Sequence, residues 1–169
     1  MYRFLAVFLL LPFVAVAQPQ SKYSSLKPAK CRTVSSSDMG GVFRCMGLNK
    51  YTIELAEGDL RQNITLINPA GKRQDLEMWN HKSGFSSLGD TAEWRFAKAG
   101  ASPKALIVRY KVSEDPEDST KITSYLAVIK ISPQKTCVID YVAPGAKQNE
   151  TARSIADASG SKSCWSETH

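Results

Sequence analysis

Apolar and polar residues alternate most regularly between positions 91 and 112 of this chain. Within Thr91–Lys98 and Lys104–Val112, every second residue is apolar: Ala92, Trp94, Phe96, Leu106, Val108, Tyr110 and Val112. A period of two residues is typical of β-strands that bury one face. The intervening residues Ala99–Pro103 include a glycine and a proline, so they predict the loop of a β-hairpin.

The loop length predicts a register for this hairpin in which Trp94 lies opposite Val108 and Glu93 lies opposite Arg109. Glu93 and Arg109 would then form a cross-strand ion pair worth roughly 0.2–1 kcal/mol on the outward face. The inward face would carry Trp94, Phe96, Leu106, Val108 and Tyr110.

Shorter apolar runs predict the remaining elements. Further strands are expected at Val42–Leu48, Tyr51–Ala56, Ile64–Ile67, Thr123–Ser132 and Lys135–Val142. A single helix is expected after the N-cap Asn149, with an apolar stripe that ends before Gly160 and consists of Ala152, Ile155, Ala156 and Ser159. The pattern therefore predicts an α+β fold, a mainly antiparallel sheet of about five to seven strands with one C-terminal helix.

The N-terminal segment has the pattern of a secretory signal peptide. Tyr2 and Arg3 precede an apolar run, Phe4–Val16, and the small residues Ala15 and Ala17 mark a cleavage site. The run is shorter than the roughly 20 residues that span a bilayer. We therefore expect three parts: a signal peptide at 1–17, a flexible leader at 18–30 and one globular domain at 31–169. The mature chain would have no transmembrane segment and would be periplasmic or secreted.

Four cysteines support this location, because disulfides form outside the cytoplasm. Cys31, Cys45, Cys137 and Cys164 allow three pairings, and their spacing favours Cys31–Cys45 and Cys137–Cys164. Each short loop closed in this way would add roughly 3 kcal/mol on the loop-entropy model. A metal site is the alternative, but no two cysteines stand in a C-x-x-C arrangement, so we expect no metal.

The formal net charge of +6 is a mild excess that favours anionic neighbours. Arg95, Arg109 and Lys111 would form a basic stripe on the outward face of the predicted hairpin. The sequence leaves the partner unknown; an anionic envelope component is the candidate that the charge favours, and no nucleic acid is expected. The simpler interpretation is that the basic residues keep an exported domain soluble.

Residues 68–90 form the least regular part of the chain, and they hold a second candidate surface. Aromatic and basic residues in an irregular loop often mark an interface, and this loop offers Trp79, His81, Lys82 and Phe85. The alternative is that Trp79 and Phe85 cover the core. A separate acidic segment, Glu114–Thr120, is expected to be an exposed loop.

Catalytic motifs are missing from the sequence. His81 has no nucleophile motif around it, no phosphate-binding glycine loop occurs, and carboxylate pairs such as Glu54 with Glu57 lack the aromatic surroundings of sugar sites. We therefore predict no catalytic residues and no cofactor.

Several short motifs resemble a known group of proteins. In chain order they are Glu57–Arg61, Glu93–Arg95, Asp140–Val142, Ala152–Arg153 and Ile155–Asp157. Together, over roughly residues 45–164, they resemble small secreted hypothetical proteins of rhizobial-type alphaproteobacteria, although Asp140 stands where that group has a glycine. The resemblance implies a Gram-negative periplasmic or exported location and no particular activity.

The favoured function is that of a non-enzymatic binding or envelope-associated module. Two alternatives stay open. The first is a hydrolase whose site is assembled from residues distant in sequence. The second is a periplasmic inhibitor of lysozyme-like enzymes, against which the positive charge counts because many lysozymes are themselves basic.

Overall fold

Ten β-strands and an α-helix make up the structure, a computed structural model that describes residues 18–115 and 117–165. The strands are β1 (Gln20–Ser25), β2 (Arg32–Ser37), β3 (Gly40–Met46), β4 (Thr52–Gly58), β5 (Arg61–Ile67), β6 (Arg73–Asp75), β7 (Ser86–Phe96), β8 (Pro103–Ser113), β9 (Ile122–Lys130) and β10 (Cys137–Val142). Helix α1 spans Gln148–Asp157. The predicted signal peptide, residues 1–17, lies outside the described residues.

The strands form two antiparallel sheets of five strands each, which we call sheet A and sheet B. Sheet A has the order β1-β7-β8-β9-β10, and sheet B has the order β2-β3-β4-β5-β6. The main core lies between them and includes the fully buried residues Ile53, Leu66, Trp94 and Tyr110. The predicted α+β class is confirmed, although the strands outnumber the predicted five to seven because the chain builds two sheets.

Helix α1 packs on the face of sheet A that points away from sheet B. Its buried residues Ala152 and Ala156 contact a second core of strand residues that includes Ile107 and Val128. The small side chains predicted for this stripe let the helix approach the sheet closely. Sheet A is therefore covered on both faces, which explains why β9 is apolar on both sides. Within residues 18–115 and 117–165, no helix covers the outer face of sheet B.

The inward face of the β7–β8 hairpin is confirmed, but the predicted register is wrong. Its five predicted core residues are all buried between the sheets, namely Trp94, Phe96, Leu106, Val108 and Tyr110. Trp94, however, pairs with Leu106 and not with Val108, and Glu93 pairs with Ile107. The predicted Glu93–Arg109 pair does not form, because the strands are offset by two residues from the prediction and the loop is longer than expected.

The segment predicted as a flexible leader contains a strand. Gln20–Ser25 forms β1, which pairs with β7 along its whole length at the edge of sheet A. Leu26 follows and is buried in the main core. Polar strand residues at a sheet edge give no alternating pattern, so the composition alone suggested a leader.

Both predicted disulfides are confirmed. Cys31–Cys45 joins the residue that precedes β2 to β3, and Cys137–Cys164 joins β10 to the segment that follows α1. The second bond holds the chain after the helix against the edge of sheet A, where the Trp165 amide donates to the Val138 carbonyl oxygen at 2.7 Å.

Candidate functional site

A cleft of about 230 Å³ lies between the first turns of α1 and the helix-facing side of sheet A. Its floor is apolar and consists of Ile107, Leu126 and Ala152. Its remaining lining is Tyr23, Gly89, Asp90, Thr91, Glu93, Arg109 and Asn149. The cleft thus combines an apolar floor with a polar rim contributed by β1, β7, β8 and α1.

A bulge in β7 shapes the cleft. Leu88 pairs with Tyr110 and Ala92 pairs with Val108, so the three residues 89–91 lie opposite the single residue Arg109. Bulges are common beside binding sites, because they redirect side chains and interrupt pairing. A Cβ atom on Gly89 would lie 2.8 Å from the Cβ of Arg109, so glycine is what allows the bulge to approach this arginine.

Arg109 is held by neutral partners. Its Nη1 donates to Ser124 Oγ at 2.8 Å and to Gln148 Oε1 at 3.4 Å. The Gln148 amide is itself oriented by donating to the carbonyl oxygens of Ser124 and Val142. Across residues 18–115 and 117–165, no carboxylate forms an ion pair with Arg109. The cleft therefore contains a positioned guanidinium whose charge is not neutralised by a described residue.

The carboxylate on the same rim, Glu93, is neutralised. Arg153 Nε donates to Glu93 Oε1 at 2.7 Å, and Ser21 Oγ donates to the same oxygen. Burial raises the pKa of Glu93, but these hydrogen bonds and the charges of Arg153 and Arg95 outweigh burial and bring the pKa below its usual range. Glu93 is therefore ionised and paired with Arg153 at neutral pH. Its charge does not neutralise that of Arg109, which can still attract an anion.

Two more groups add hydrogen-bonding capacity to the rim. Tyr23 accepts a hydrogen bond from Arg153 Nη2 at 3.2 Å, which leaves its own hydroxyl hydrogen free to donate. Asn149 stands in the first turn of α1, where the positive end of the helix dipole favours negative charge. Asp90 also lines the cleft, and it pairs with Lys27 at 3.6 Å in an exposed position.

The predicted basic stripe is divided between different environments. Arg95 is buried and forms an ion pair with Asp157 of α1, whereas Lys111 is exposed and has no ion pair within the described residues. Arg109 alone of these three lines the cleft. Of the three residues of the predicted stripe, Arg109 is therefore the one that can contact a ligand in the cleft.

His81 and Lys82 lie elsewhere, in an aromatic cluster on the side of sheet A that faces sheet B. His81 Nδ1 is 2.9 Å from the Tyr141 hydroxyl oxygen, and Lys82 Nζ is 4.4 Å from the ring centroid of Tyr125. Glu114 accepts a hydrogen bond from the Tyr125 hydroxyl at 2.8 Å and pairs with Lys82 at 3.7 Å. These contacts fix the irregular segment after β6 to the sheet.

The two apolar residues of the predicted loop surface differ in exposure. Trp79 is half-buried, and Phe85 is 46% exposed beside a small cavity that Leu60 and Ile122 also line. His81 and Lys82 thus lie in one place and Phe85 in another, and none of the four loop residues lines the cleft. The sequence did not predict that Tyr23, Thr91 and Asn149 line a cleft. Gly89, a glycine inside β7, was the one available signal of the bulge that shapes it.

Free thiols and clusters of metal-ligating side chains were sought among the described residues. All four cysteines are in disulfides. No group of three or more His, Cys, Asp or Glu side chains in the described ranges is arranged to hold a metal ion. Comparison with protein-family models, with curated proteins and with solved structures finds no match to this chain.

Proposed function

We propose that this protein is an exported, non-enzymatic binding module whose helix-side cleft receives an anionic group of an envelope component. The observation that carries the proposal is Arg109, a guanidinium at the rim of a cleft, without a carboxylate partner among the described residues and held in place by Ser124 and Gln148. Guanidinium groups bind carboxylates and phosphates through charge-assisted hydrogen bonds.

The size and lining of the cleft narrow the ligand class. Its volume of about 230 Å³ is below the roughly 300–1,000 Å³ typical of sites for drug-sized molecules. It therefore suits one compact unit, with a carboxylate or phosphate against Arg109 and a less polar part on the floor formed by Ile107 and Leu126. A sugar acid or sugar phosphate from an envelope polymer has this combination.

One finding supports the exported location. The chain contains two disulfides, which persist in oxidising compartments. Within the part of the chain that the structure describes, no helix has the length and apolarity needed to cross a membrane. Export with cleavage after Ala17 predicts Gln18 as the first residue of the exported protein, and N-terminal sequencing that returned Met1 would contradict it.

The ligand proposal is tested by NMR titration of the disulfide-bonded protein with glucuronate, glucose 6-phosphate and neutral glucose. We expect the two anionic sugars, and not glucose, to shift the backbone amide signals of Gly89, Thr91 and Asn149. Arg109→Gln should weaken this binding by at least about tenfold, because it removes the charge that the anion meets. Arg32→Gln is the matched control, since Arg32 is an exposed arginine of sheet B far from the cleft in the topology.

The proposal fails if glucose shifts the same signals as strongly, or if Arg109→Gln binds the anions as well as the wild type does. It also fails if neither anionic sugar shifts the cleft signals at millimolar concentration. The variant Gly89→Ala adds a geometric test: its Cβ would press on Arg109, so we expect weaker binding with the charge retained.

A further inference from the structure

Four of the exposed large apolar side chains lie at one end of the two sheets. Their exposed fractions are 79% for Met39, 65% for Leu60, 46% for Phe85 and 52% for Ile122. Each stands in or beside a loop: the β2–β3 turn, the β4–β5 turn, the segment before β7 and the start of β9. We call these four residues the apolar end. It lies outside the cleft described above.

The strand pairing brings these loops together. Gly40 pairs with Gly58, which places the turns that carry Met39 and Leu60 side by side on sheet B. The Ser86 amide donates to the Leu60 carbonyl oxygen at 3.0 Å, and the Ser113 amide donates to the Phe85 carbonyl oxygen at 2.9 Å. Leu60, Phe85 and Ile122 then line a shared cavity of about 140 Å³.

Leu60 occupies a turn position that glycine would fill with less strain. Asp59 and Leu60 form a two-residue hairpin turn with φ values of 51° and 56°, the left-handed region that favours glycine or asparagine. A leucine in this region is disfavoured by roughly 1 kcal/mol or more. Because the Leu60 side chain is mostly exposed, little burial in the described structure compensates for this backbone conformation.

The charge around the apolar end is opposite to that of the whole chain, whose net charge is +6. The cations of the surrounding loops are Arg61, Lys82, Lys111 and Lys121, and three of them, Arg61, Lys82 and Lys121, already pair with loop carboxylates. The carboxylates outnumber them and are Asp38, Asp59, Glu114, Asp115, Glu117 and Asp118. A complementary partner therefore carries positive charge around an apolar group.

We infer that the apolar end docks a segment of a partner protein in which an apolar side chain is flanked by lysine or arginine residues. The apolar side chain would enter the cavity between Leu60, Phe85 and Ile122, and the basic residues would face the acidic loops. An anionic lipid surface fits less well because the loops would repel it. A symmetric contact with a second copy would bring two acidic ends together.

The test uses the disulfide-bonded protein and two pentapeptides, one with leucine flanked by two lysines on each side and one with glutamates in place of the lysines. In an NMR titration, we expect the lysine peptide to shift the amide signals of Leu60, Ser86 and Ile122, and the glutamate peptide to leave them unchanged. Added salt should weaken the binding, because the flanking contacts are exposed charge pairs.

Leu60→Gly separates docking from folding. Glycine adopts a positive φ without strain, so the thermal midpoint should stay the same or rise, while peptide affinity falls about tenfold. Met46→Thr is the matched control: it removes a side chain that is 79% exposed at the opposite end of sheet B, and it should leave affinity unchanged.

Several outcomes would overturn the inference. The first is that both peptides shift the amide signals equally, or that the lysine peptide shifts none. The second is that Leu60→Gly binds the lysine peptide as tightly as the wild type does. Self-association in sedimentation experiments that Leu60→Gly abolishes would make a second copy the occupant. Binding to phosphatidylglycerol vesicles that the same variant abolishes would make a lipid surface the occupant. Either result contradicts the basic peptide as the partner.

Discussion

The guanidinium of Arg95 holds the carboxylate of Asp157 through two hydrogen bonds, from Nε to Oδ1 at 3.1 Å and from Nη2 to Oδ2 at 2.6 Å. Arg95 lies in β7, and its side chain is only 8% exposed, whereas Asp157 is the last residue of α1. The pair therefore fastens the end of the helix to sheet A. Bidentate pairs of this kind fix geometry as well as adding energy.

Replacement of Arg95 by methionine should destabilise the protein by about 2–3 kcal/mol, because it leaves Asp157 with only a distant cation, Lys104 at 3.9 Å. Urea unfolding at pH 7 measures the loss. The control is Arg32→Met on the exposed strand β2, for which a change within about 0.5 kcal/mol is expected. Equal effects of the two substitutions would show that the Arg95–Asp157 pair contributes nothing specific.

Glu54 should give the protein an acid-sensitive component of stability. Arg73 donates hydrogen bonds to this carboxylate and Arg44 Nη2 lies 2.7 Å from its Oε2, so the pKa of Glu54 lies below its ordinary value of 4.5. A carboxyl with a lowered pKa in the folded state stabilises the fold above its unfolded pKa. It loses that contribution as the pH falls through the folded value.

Glu54→Gln should therefore cost about 1–3 kcal/mol at pH 7, because it removes an ion pair from a nearly buried site. The difference from the wild type should shrink as the pH falls below the ordinary carboxyl pKa of 4.5. Unfolding measured at several pH values tests this. Glu57→Gln on the same strand changes an exposed carboxylate and should show a small, nearly constant difference; a parallel pH dependence there would argue against the assignment to Glu54.

The two disulfides should differ slightly in how much they add to the free energy of unfolding. Their sequence separations are 14 residues for Cys31–Cys45 and 27 residues for Cys137–Cys164. On the loop-entropy model, replacing each pair with serines should lower the free energy of unfolding by roughly 3 kcal/mol, with the longer loop giving the larger loss. Denaturant unfolding of both double variants is the measurement. The reverse order would mean that effects on the native state dominate over loop entropy.

Lys82 should stabilise the segment that precedes β7. Its ammonium group lies over the Tyr125 ring and beside Glu114, a combination worth about 1–2 kcal/mol when partly desolvated. Lys82→Met should remove this and raise amide exchange in residues 81–85, whereas the exposed Lys72→Met should change neither.

The same cluster gives a spectroscopic prediction. Burial of the Tyr125 hydroxyl, together with its hydrogen bond to the Glu114 carboxylate, raises the pKa of Tyr125 to about 12. Ultraviolet titration should therefore show the ionisation of this tyrosine only in strongly alkaline solution. In Glu114→Gln the ionisation should move to lower pH, and an unchanged titration would contradict the role of Glu114.

Sequence patterns predicted the parts of the fold in which burial determines residue type. The inward residues of β7 and β8, the small-residue stripe of α1 and the apolar strand β9 were recognised because a buried face constrains the side chains directly. The disulfide pairing followed from spacing, and the structure confirms it.

The pairing register of β7 with β8 and the presence of the edge strand β1 were harder to predict, for physical reasons. The β7 bulge at residues 89–91 and the longer loop change which residues pair, and neither alters the alternation of apolar positions. Strand β1 is held by backbone hydrogen bonds at a sheet edge, so its polar sequence carries little signal of strand structure. Glu93 therefore forms its ion pair with Arg153 of α1 and not with the predicted Arg109.

The candidate cleft was the least predictable feature. Arg109 was singled out from its charge, but Tyr23, Thr91 and Asn149 reach the rim from three separate elements. Their meeting depends on the helix lying across sheet A, and no local pattern in the sequence encodes that crossing.

Because sheet A is covered on both faces, its central strand is protected from local unfolding. Strand β8 lies between β7 and β9 within its sheet and between α1 and sheet B across it. Its amide protons can exchange with solvent only after neighbours on several sides have separated. The edge strand β2 neighbours β3 alone, and beyond the disulfide at Cys31 it can separate from β3 while the rest of the fold stays intact. Under native conditions, exchange in β8 should therefore report the unfolding of the whole molecule, and exchange in β2 should report fluctuations that leave the cleft intact.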